Sequence, residues 1–206
     1  MVELVVTYLT EAARSPLAHL ESAMAEGAVV GERGVTLREV AFRTMISLRV
    51  DPNGSAASRL AEVLGTTIPV SCGTVATGST HQVLWLGPDE FLVISGDDAG
   101  DLTYRLVEAL GDSSGLVVDV SANRTTLELS GPSARAVLEK GCMLDLHPRS
   151  FRAGTAVSTQ IGPISAILYQ VNDAPSYRIL PRASFSEYVA RWLLDAMLEY
   201  TTPELP

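Results

Sequence analysis

One order of secondary-structure elements is predicted twice along this chain: strand, helix, three strands, helix. The first copy runs from about residue 42 to 110, and strand or helix spacing of apolar residues there covers 35–50 (one strand, whole or broken once), 55–64, 68–76, 81–86, 90–95 and 99–110. In the second copy it covers 125–129, 132–140, 154–160, 164–171, 177–180 and 184–200. An internal duplication is the simplest explanation of this repetition.

The duplication predicts an α+β fold made of two related units. We assign a tail and a short helix to residues 1–34, the first unit to 35–115, and the second unit, with a C-terminal helix and tail, to 116–206. Because each unit is too small to bury its own sheet, we expect the units to pack against helices and against each other. The segment VELVVTYL at residues 2–9 forms either a strand added to the edge of a neighbouring chain or a tail, and we favour a tail that orders on a partner.

The charge balance makes nucleic acid an unexpected partner. The chain has 15 Lys and Arg against 24 Asp and Glu, a formal net charge of -9, and its arginines are spread along the sequence. A phosphate backbone would be repelled by such a surface. The mean hydropathy of +0.21 fits either a subunit with a large permanent interface or a well-filled two-domain core.

The two cysteines support neither a disulfide framework nor a metal site. Cys72 and Cys142 stand in no CxxC or Cys/His ligand spacing, so we expect buried free thiols. The sequence contains no basic segment followed by an apolar core and no run of 18 apolar residues, which predicts a cytoplasmic protein without a membrane span.

The segment 116–148 contains the most specific sequence patterns in the chain. Its run LVVDV predicts a strand buried on both faces, and TLELS predicts a strand buried on one face, with a turn at 121–123 between them. Gly131, Pro132 and Ser133 then open a short helix, since the fixed φ of proline suits a first helical turn.

These residues carry a family resemblance. DVS, a strand, SGPSARAVLEKG and then DL together resemble the opening of the aminomethyltransferase (glycine-cleavage T-protein-like) folate-binding fold. Within that superfamily, VDVSANRTTLELSGPSARAVLEKGCMLDLHPRSF and LGPDEFLV most closely resemble the gamma-subunit family of heterotetrameric sarcosine oxidase, over residues 15 to about 200.

The resemblance implies a function that belongs to an assembly. In that family's complexes the larger alpha and beta subunits would hold FAD, FMN and NAD and oxidise the N-methyl group of sarcosine, with tetrahydrofolate as the one-carbon acceptor. A chain of this kind would pack against alpha, beta and delta subunits, hold no cofactor itself and contribute to the assembly. The family fold further implies related α/β units around a central cavity.

An absence supports this non-catalytic role. Aminomethyltransferases carry an acidic pair after a Gly-Gly-Ile-Ile-like strand entry, and the matching residues here are 162–166, where Ser165 and Ala166 supply no acid or base. GxGxxG and GxxxxGK[ST] loops are also missing from the sequence. The prediction is therefore that the chain has no catalytic, cofactor-binding or metal-binding residues.

Three polar residues at the DVS turn remain as candidates for a ligand or interface role: Asp119, Ser121 and Arg124. In related folds this turn approaches the ligand cavity, and the planar fork of Arg124 suits a carboxylate. Alternatively, Asp119 and Ser121 satisfy turn amides while Arg124 covers a strand face.

Two further alternatives remain open. The chain is a free-standing folate-binding protein or folate-dependent one-carbon transferase of the same fold, or, if the resemblance is to the fold alone, an adaptor unrelated to sarcosine. Trp85, Trp192 and the regions of Phe42 and Phe151 are core residues or interface anchors.

His19, His81 and His147 lack a nearby nucleophile motif, so surface or hydrogen-bonded structural positions are expected for them.

Overall fold

The computed structural model, which describes residues 13–201, contains two five-stranded antiparallel sheets with helices on their outer faces. The strands are β1 Thr36–Glu39, β2 Thr44–Val50, β3 Val75–Thr77, β4 His81–Gly87, β5 Glu90–Ser95, β6 Gly115–Asp119, β7 Leu127–Ser130, β8 Thr155–Ile161, β9 Ile164–Asn172 and β10 Ser176–Pro181. The α-helices are α1 Glu21–Glu26, α2 Ser55–Leu64, α3 Ala99–Leu110, α4 Ala134–Glu139 and α5 Ser186–Met197. Short 3₁₀ turns adjoin α1 and α5.

Local sequence signals explain where the longer helices begin and end. The side chain of Asp98 accepts a hydrogen bond from the amide of Asp101 (3.0 Å) and caps α3. Gly65 takes a left-handed conformation (φ +60°) and ends α2, a position at which a side chain would add strain. The predicted start and end of both helices are confirmed.

The predicted duplication is present, and the two copies have the same strand order. The first sheet runs β3-β4-β5-β2-β6, and the second, taken from the other edge, runs β8-β9-β10-β7-β1. In each sheet the last strand comes from the other half of the chain. The first strand of each half, β1 or β6, therefore lies beside the second strand of the other half.

Three apolar clusters fill the spaces between the layers. One lies between the first sheet and helices α2 and α3, and another lies between the second sheet and helices α1, α4 and α5. The third joins the facing sides of the two sheets and includes Met45, Leu92, Ile167 and Leu180. Each sheet therefore has a helix-covered side and a side that faces the other sheet.

Strand β6 corrects one expectation from the sequence. The run LVVDV was predicted to be buried on both faces, but β6 is an edge strand, and Leu116 and Val118 are exposed. Only Val117 packs against the core of the first sheet. An apolar run predicts that the side chains of a strand are buried, but it does not show whether they are buried by the same chain or by another one. For β7, by contrast, the predicted burial of one face is confirmed.

Two smaller expectations also differ from the structure. The predicted strand 68–76 is reduced to the three residues of β3, because Pro69 lacks an amide donor and Gly73 is left-handed (φ +73°). Cys72 is exposed rather than buried because it lies in this same irregular segment, while Cys142 is half-buried.

The predicted tail at residues 2–9 lies outside the described residues. Within residues 13–201, no helix has the length and apolar character needed to cross a bilayer.

Candidate functional site

A cleft of about 560 Å³ lies where the chain crosses between the two sheets. We call it the crossover cleft; its lining comes from residues 14–16, 39–45, 96–99, 121–122 and 124–126. The first crossover joins β1 to β2, and the second joins β6 to β7. The cleft is thus built from corresponding segments of the two halves, with added walls from the start of α3 and the chain before α1.

Two backbone hydrogen bonds show which residues of the first crossover are equivalent to residues of the second. Val40 N donates to Thr126 O, and Val120 N donates to Met45 O, both at 2.8 Å. Arg43 and Arg124 each stand two residues before one of these acceptors, and each is followed by a threonine. The two arginines therefore occupy equivalent positions in the duplicated halves and line the same cleft.

Both arginines are half-buried, and neither has a carboxylate partner among the described residues. Arg43 Nε is enclosed with no hydrogen-bond acceptor there, and Arg124 Nη1 donates to Leu180 O at 2.9 Å. Burial lowers the pKa of the Arg43 guanidinium, and the positive charge of Arg178 lowers it further. Burial likewise lowers the pKa of Arg124, with a further decrease from Arg182 and an opposing effect of Glu90.

The acidic groups of the cleft are bound to other donors. Asp97 Oδ2 accepts from Arg105 Nη2 at 2.9 Å and lies 3.0 Å from His81 Nε2. Glu39 accepts a hydrogen bond from the Ser15 hydroxyl, and Asp98 caps α3. The cleft therefore contains both charge signs, but its acids are engaged while its two half-buried arginines are not paired with them.

Two buried hydroxyls and a strained backbone complete the cleft. Thr125 and Thr126 are each 4% exposed, and neither Oγ1 has a hydrogen-bond partner among the described residues. Phe42 has a left-handed backbone (φ +55°) and a side chain that is 70% exposed. A bulky residue in this conformation is uncommon and is found where surrounding structure or function imposes it.

The three residues predicted from the DVS turn have different surroundings. Asp119 Oδ1 accepts from the amide (2.9 Å) and the hydroxyl (2.5 Å) of Ser121, whose Oγ in turn accepts from Met45 N at 3.0 Å. Asp119 and Ser121 thus stabilise the turn and attach it to β2. Ser121 and Arg124 line the crossover cleft, and Arg124 keeps most of its donors available.

The remaining candidates do not line the crossover cleft. His81 is buried beside it, with Nδ1 3.0 Å from Leu64 O and Nε2 3.0 Å from the cleft residue Asp97, whereas His19 and His147 contact other parts of the chain. Ser165 stands on β9 just after the β8–β9 turn and lines a second groove, which includes Arg182 and shares Arg124 with the crossover cleft. Within residues 13–201, no group of three or more His, Cys, Asp or Glu is arranged to hold a metal ion.

Arg43 was missed by the sequence analysis, although a signal for it exists. The segment Glu39-Val40-Ala41-Phe42-Arg43-Thr44 matches Asp119-Val120-Ser121-Ala122-Asn123-Arg124-Thr125 with one residue fewer. An alignment of the two predicted units would have placed Arg43 opposite Arg124. The exchange of β1 and β6 then brings both into one cleft, which no local pattern predicts.

Comparison with known proteins gives consistent matches over nearly the whole chain. The model of the sarcosine oxidase gamma subunit family matches residues 49–199. Sarcosine oxidase subunit gamma of Corynebacterium sp. (strain P-1) is 48% identical over 195 residues, which is 94% of each chain. The corresponding protein of Arthrobacter sp. is 45% identical over 195 residues, again 94% of each chain.

Two solved structures resemble the chain at different levels. One chain in heterotetrameric sarcosine oxidase from Corynebacterium sp. U-96 in complex with pyrrole 2-carboxylate has a TM-score of 0.89 and 46% identity, covering 94% of this chain and 99% of that one. The glycine cleavage system aminomethyltransferase T from Bartonella henselae has a TM-score of 0.62 and 15% identity, covering 87% of this chain and 56% of that one. The second likeness concerns the fold alone, and it confirms the fold predicted from the sequence.

Proposed function

The chain belongs to the sarcosine oxidase gamma subunit family, and from that membership we propose that it is the gamma subunit of a heterotetrameric sarcosine oxidase. The observation that carries the proposal is the match to one chain of such a complex over 94% of this chain at a TM-score of 0.89. A match of this extent leaves little of the molecule for a different role. Neither the relatives nor the described geometry favours the alternative of a free-standing folate-binding protein or transferase.

The proposed role is in assembly, with the redox chemistry in the partner chains. The partners would be the alpha, beta and delta subunits, and FAD, FMN, NAD and tetrahydrofolate would bind to the complex outside this chain. The exposed Ser165, in the place where aminomethyltransferases carry an acid, supports a fold kept without its reaction. Oxidative demethylation of sarcosine to glycine in one-carbon metabolism, in the cytoplasm, is the setting that this role implies.

The surface supports a subunit role. The edge strand β6 presents the exposed apolar side chains of Leu116 and Val118, and Phe42 is exposed at the crossover cleft. An unpaired strand edge offers backbone groups to which another chain can add, and exposed apolar side chains that lie together mark interaction surfaces. The high mean hydropathy has the same explanation.

The test is to omit the chain from the assembly. The four subunits are co-produced with and without this chain, and the native mass and sarcosine-dependent oxygen uptake of the purified product are measured. We expect the omission to give incomplete complexes that have lost most of their turnover, and the chain alone to show none. Full turnover by the other three chains, or sarcosine oxidation by this chain alone, would contradict the proposal.

A further inference from the structure

We propose that the crossover cleft binds an organic carboxylate through the guanidinium groups of Arg43 and Arg124. The site is formed by this chain alone, and one of the two measurements below does not depend on the assembly role. The inference rests on three features of the cleft: the equivalent placement of the two arginines, the lack of an acidic partner for either among residues 13–201, and the chemistry of the surrounding wall.

The first feature is symmetry. Two reciprocal backbone hydrogen bonds, Val40 N to Thr126 O and Val120 N to Met45 O, hold the two crossovers, and each arginine stands two residues before the acceptor of one of them. Their position in one cleft follows from the exchange of β1 and β6. Both halves of the duplication thus direct an arginine-threonine pair to the same place.

The second feature is the unmatched charge. Arg43 Nε is enclosed without an acceptor among the described residues, and Arg124 has a single carbonyl acceptor, Leu180 O. Removing a guanidinium from water without an acceptor is costly, and a carboxylate matches its planar fork with two parallel hydrogen bonds. Because the described acidic residues of the cleft are held by other donors, a carboxylate from outside residues 13–201 is the group that fits.

The third feature is the wall. A volume of about 560 Å³ lies in the range of small-molecule sites, and Pro16, Val40 and Met45 supply apolar surface. The buried hydroxyls of Thr125 and Thr126 add polar contacts without charge. These features favour a carboxylate attached to an apolar or aromatic body over a small inorganic anion, which would leave the apolar surface unused.

The carboxylate has two possible sources, a free small molecule and an acidic side chain of a partner subunit. Para-fluorobenzoate, an aromatic monocarboxylate, is the probe for the first source. Retention of the chain in its assembly is the measurement for the second. Both are made on the full chain purified from its own cells together with whatever subunits accompany it.

The variants are Arg43→Met and Arg124→Met, with Arg191→Met as the matched control. Arg191 carries the same charge but lies exposed on α5, paired with Glu187. Arg43→Lys and Arg124→Lys keep the charge without the planar fork and serve if a methionine variant folds poorly, which circular dichroism would show. Fluorine NMR reports each bound probe separately, so a carboxylate site elsewhere in the assembly does not obscure the result.

We expect a bound-probe resonance whose affinity falls roughly tenfold or more in both methionine variants, the effect of one lost charge-assisted hydrogen bond, and is unchanged in the control. If a partner side chain fills the cleft, no probe binds there in the assembly, and the same two variants reduce retention of the chain. Either result supports carboxylate binding and identifies its source. If probe binding and retention in Arg43→Met and Arg124→Met both equal those of the unchanged chain and of the Arg191→Met control, the proposal is overturned, whether or not the assembly role is correct.

Discussion

At the scale of single residues, the strain at Phe42 follows from the length of a connection. The first crossover has two residues between Val40 and Arg43, whereas the second has three between Val120 and Arg124. With one residue fewer to reach an equivalent position, the first crossover places Phe42 in the left-handed region (φ +55°), and the second contains no such residue. The strain is therefore a result of keeping both arginines in register.

This explanation predicts the effect of replacing Phe42. Asparagine tolerates the left-handed region better than other side chains, and Phe42 is 70% exposed, so little buried area is lost. Phe42→Asn should raise the free energy of unfolding by about 1 kcal/mol relative to Phe42→Ala, as measured by urea denaturation. Equal stabilities of the two variants would mean that the crossover is not strained.

At the scale of secondary-structure elements, the exchange of β1 and β6 connects the halves of the molecule. The apolar pattern predicted a strand at 35–50, whole or broken once, and the structure contains one break, between β1 and β2. It could not predict that the two pieces enter different sheets, because strand periodicity identifies the buried face and not the neighbouring strand. The same limit explains why β6 was expected to be buried on both faces.

The exchange makes β1 a structural part of the second half. Leu37 on β1 pairs with Leu129 on β7 and is 3% exposed in the core of the second sheet. Leu37→Ala should therefore lower the free energy of unfolding by about 2–5 kcal/mol, as expected for a buried leucine. Val30→Ala is the control, because Val30 is 90% exposed in the same part of the chain and should change stability by less than about 0.5 kcal/mol.

Urea denaturation followed by circular dichroism measures both variants. If the leucine variant were no less stable than the valine control, β1 would not be packed on the second sheet. Such a result would also remove the physical basis for the crossover cleft, since the cleft requires both strands to cross.

At the scale of the whole molecule, the sequence predicted the α+β class, the duplication and the family fold. These properties depend on element order and on long specific phrases such as SGPSARAVLEKG, which one sequence contains in full. The crossover cleft depends on how two distant segments meet, so only Ser121 and Arg124 of its residues were predicted as ligand candidates, and the region of Phe42 was named only as core or interface anchor. Arg43 required the strand pairing as well as the sequence.

The composition of the native assembly tests the central claim most directly. The chain is tagged in its own cells and purified gently, and the native mass and visible spectrum of the product are measured. We predict a heterotetramer containing one copy of this chain with three other subunits, with a flavin spectrum that is bleached by sarcosine. A colourless species with the mass of this chain alone, 21.9 kDa, would contradict the account.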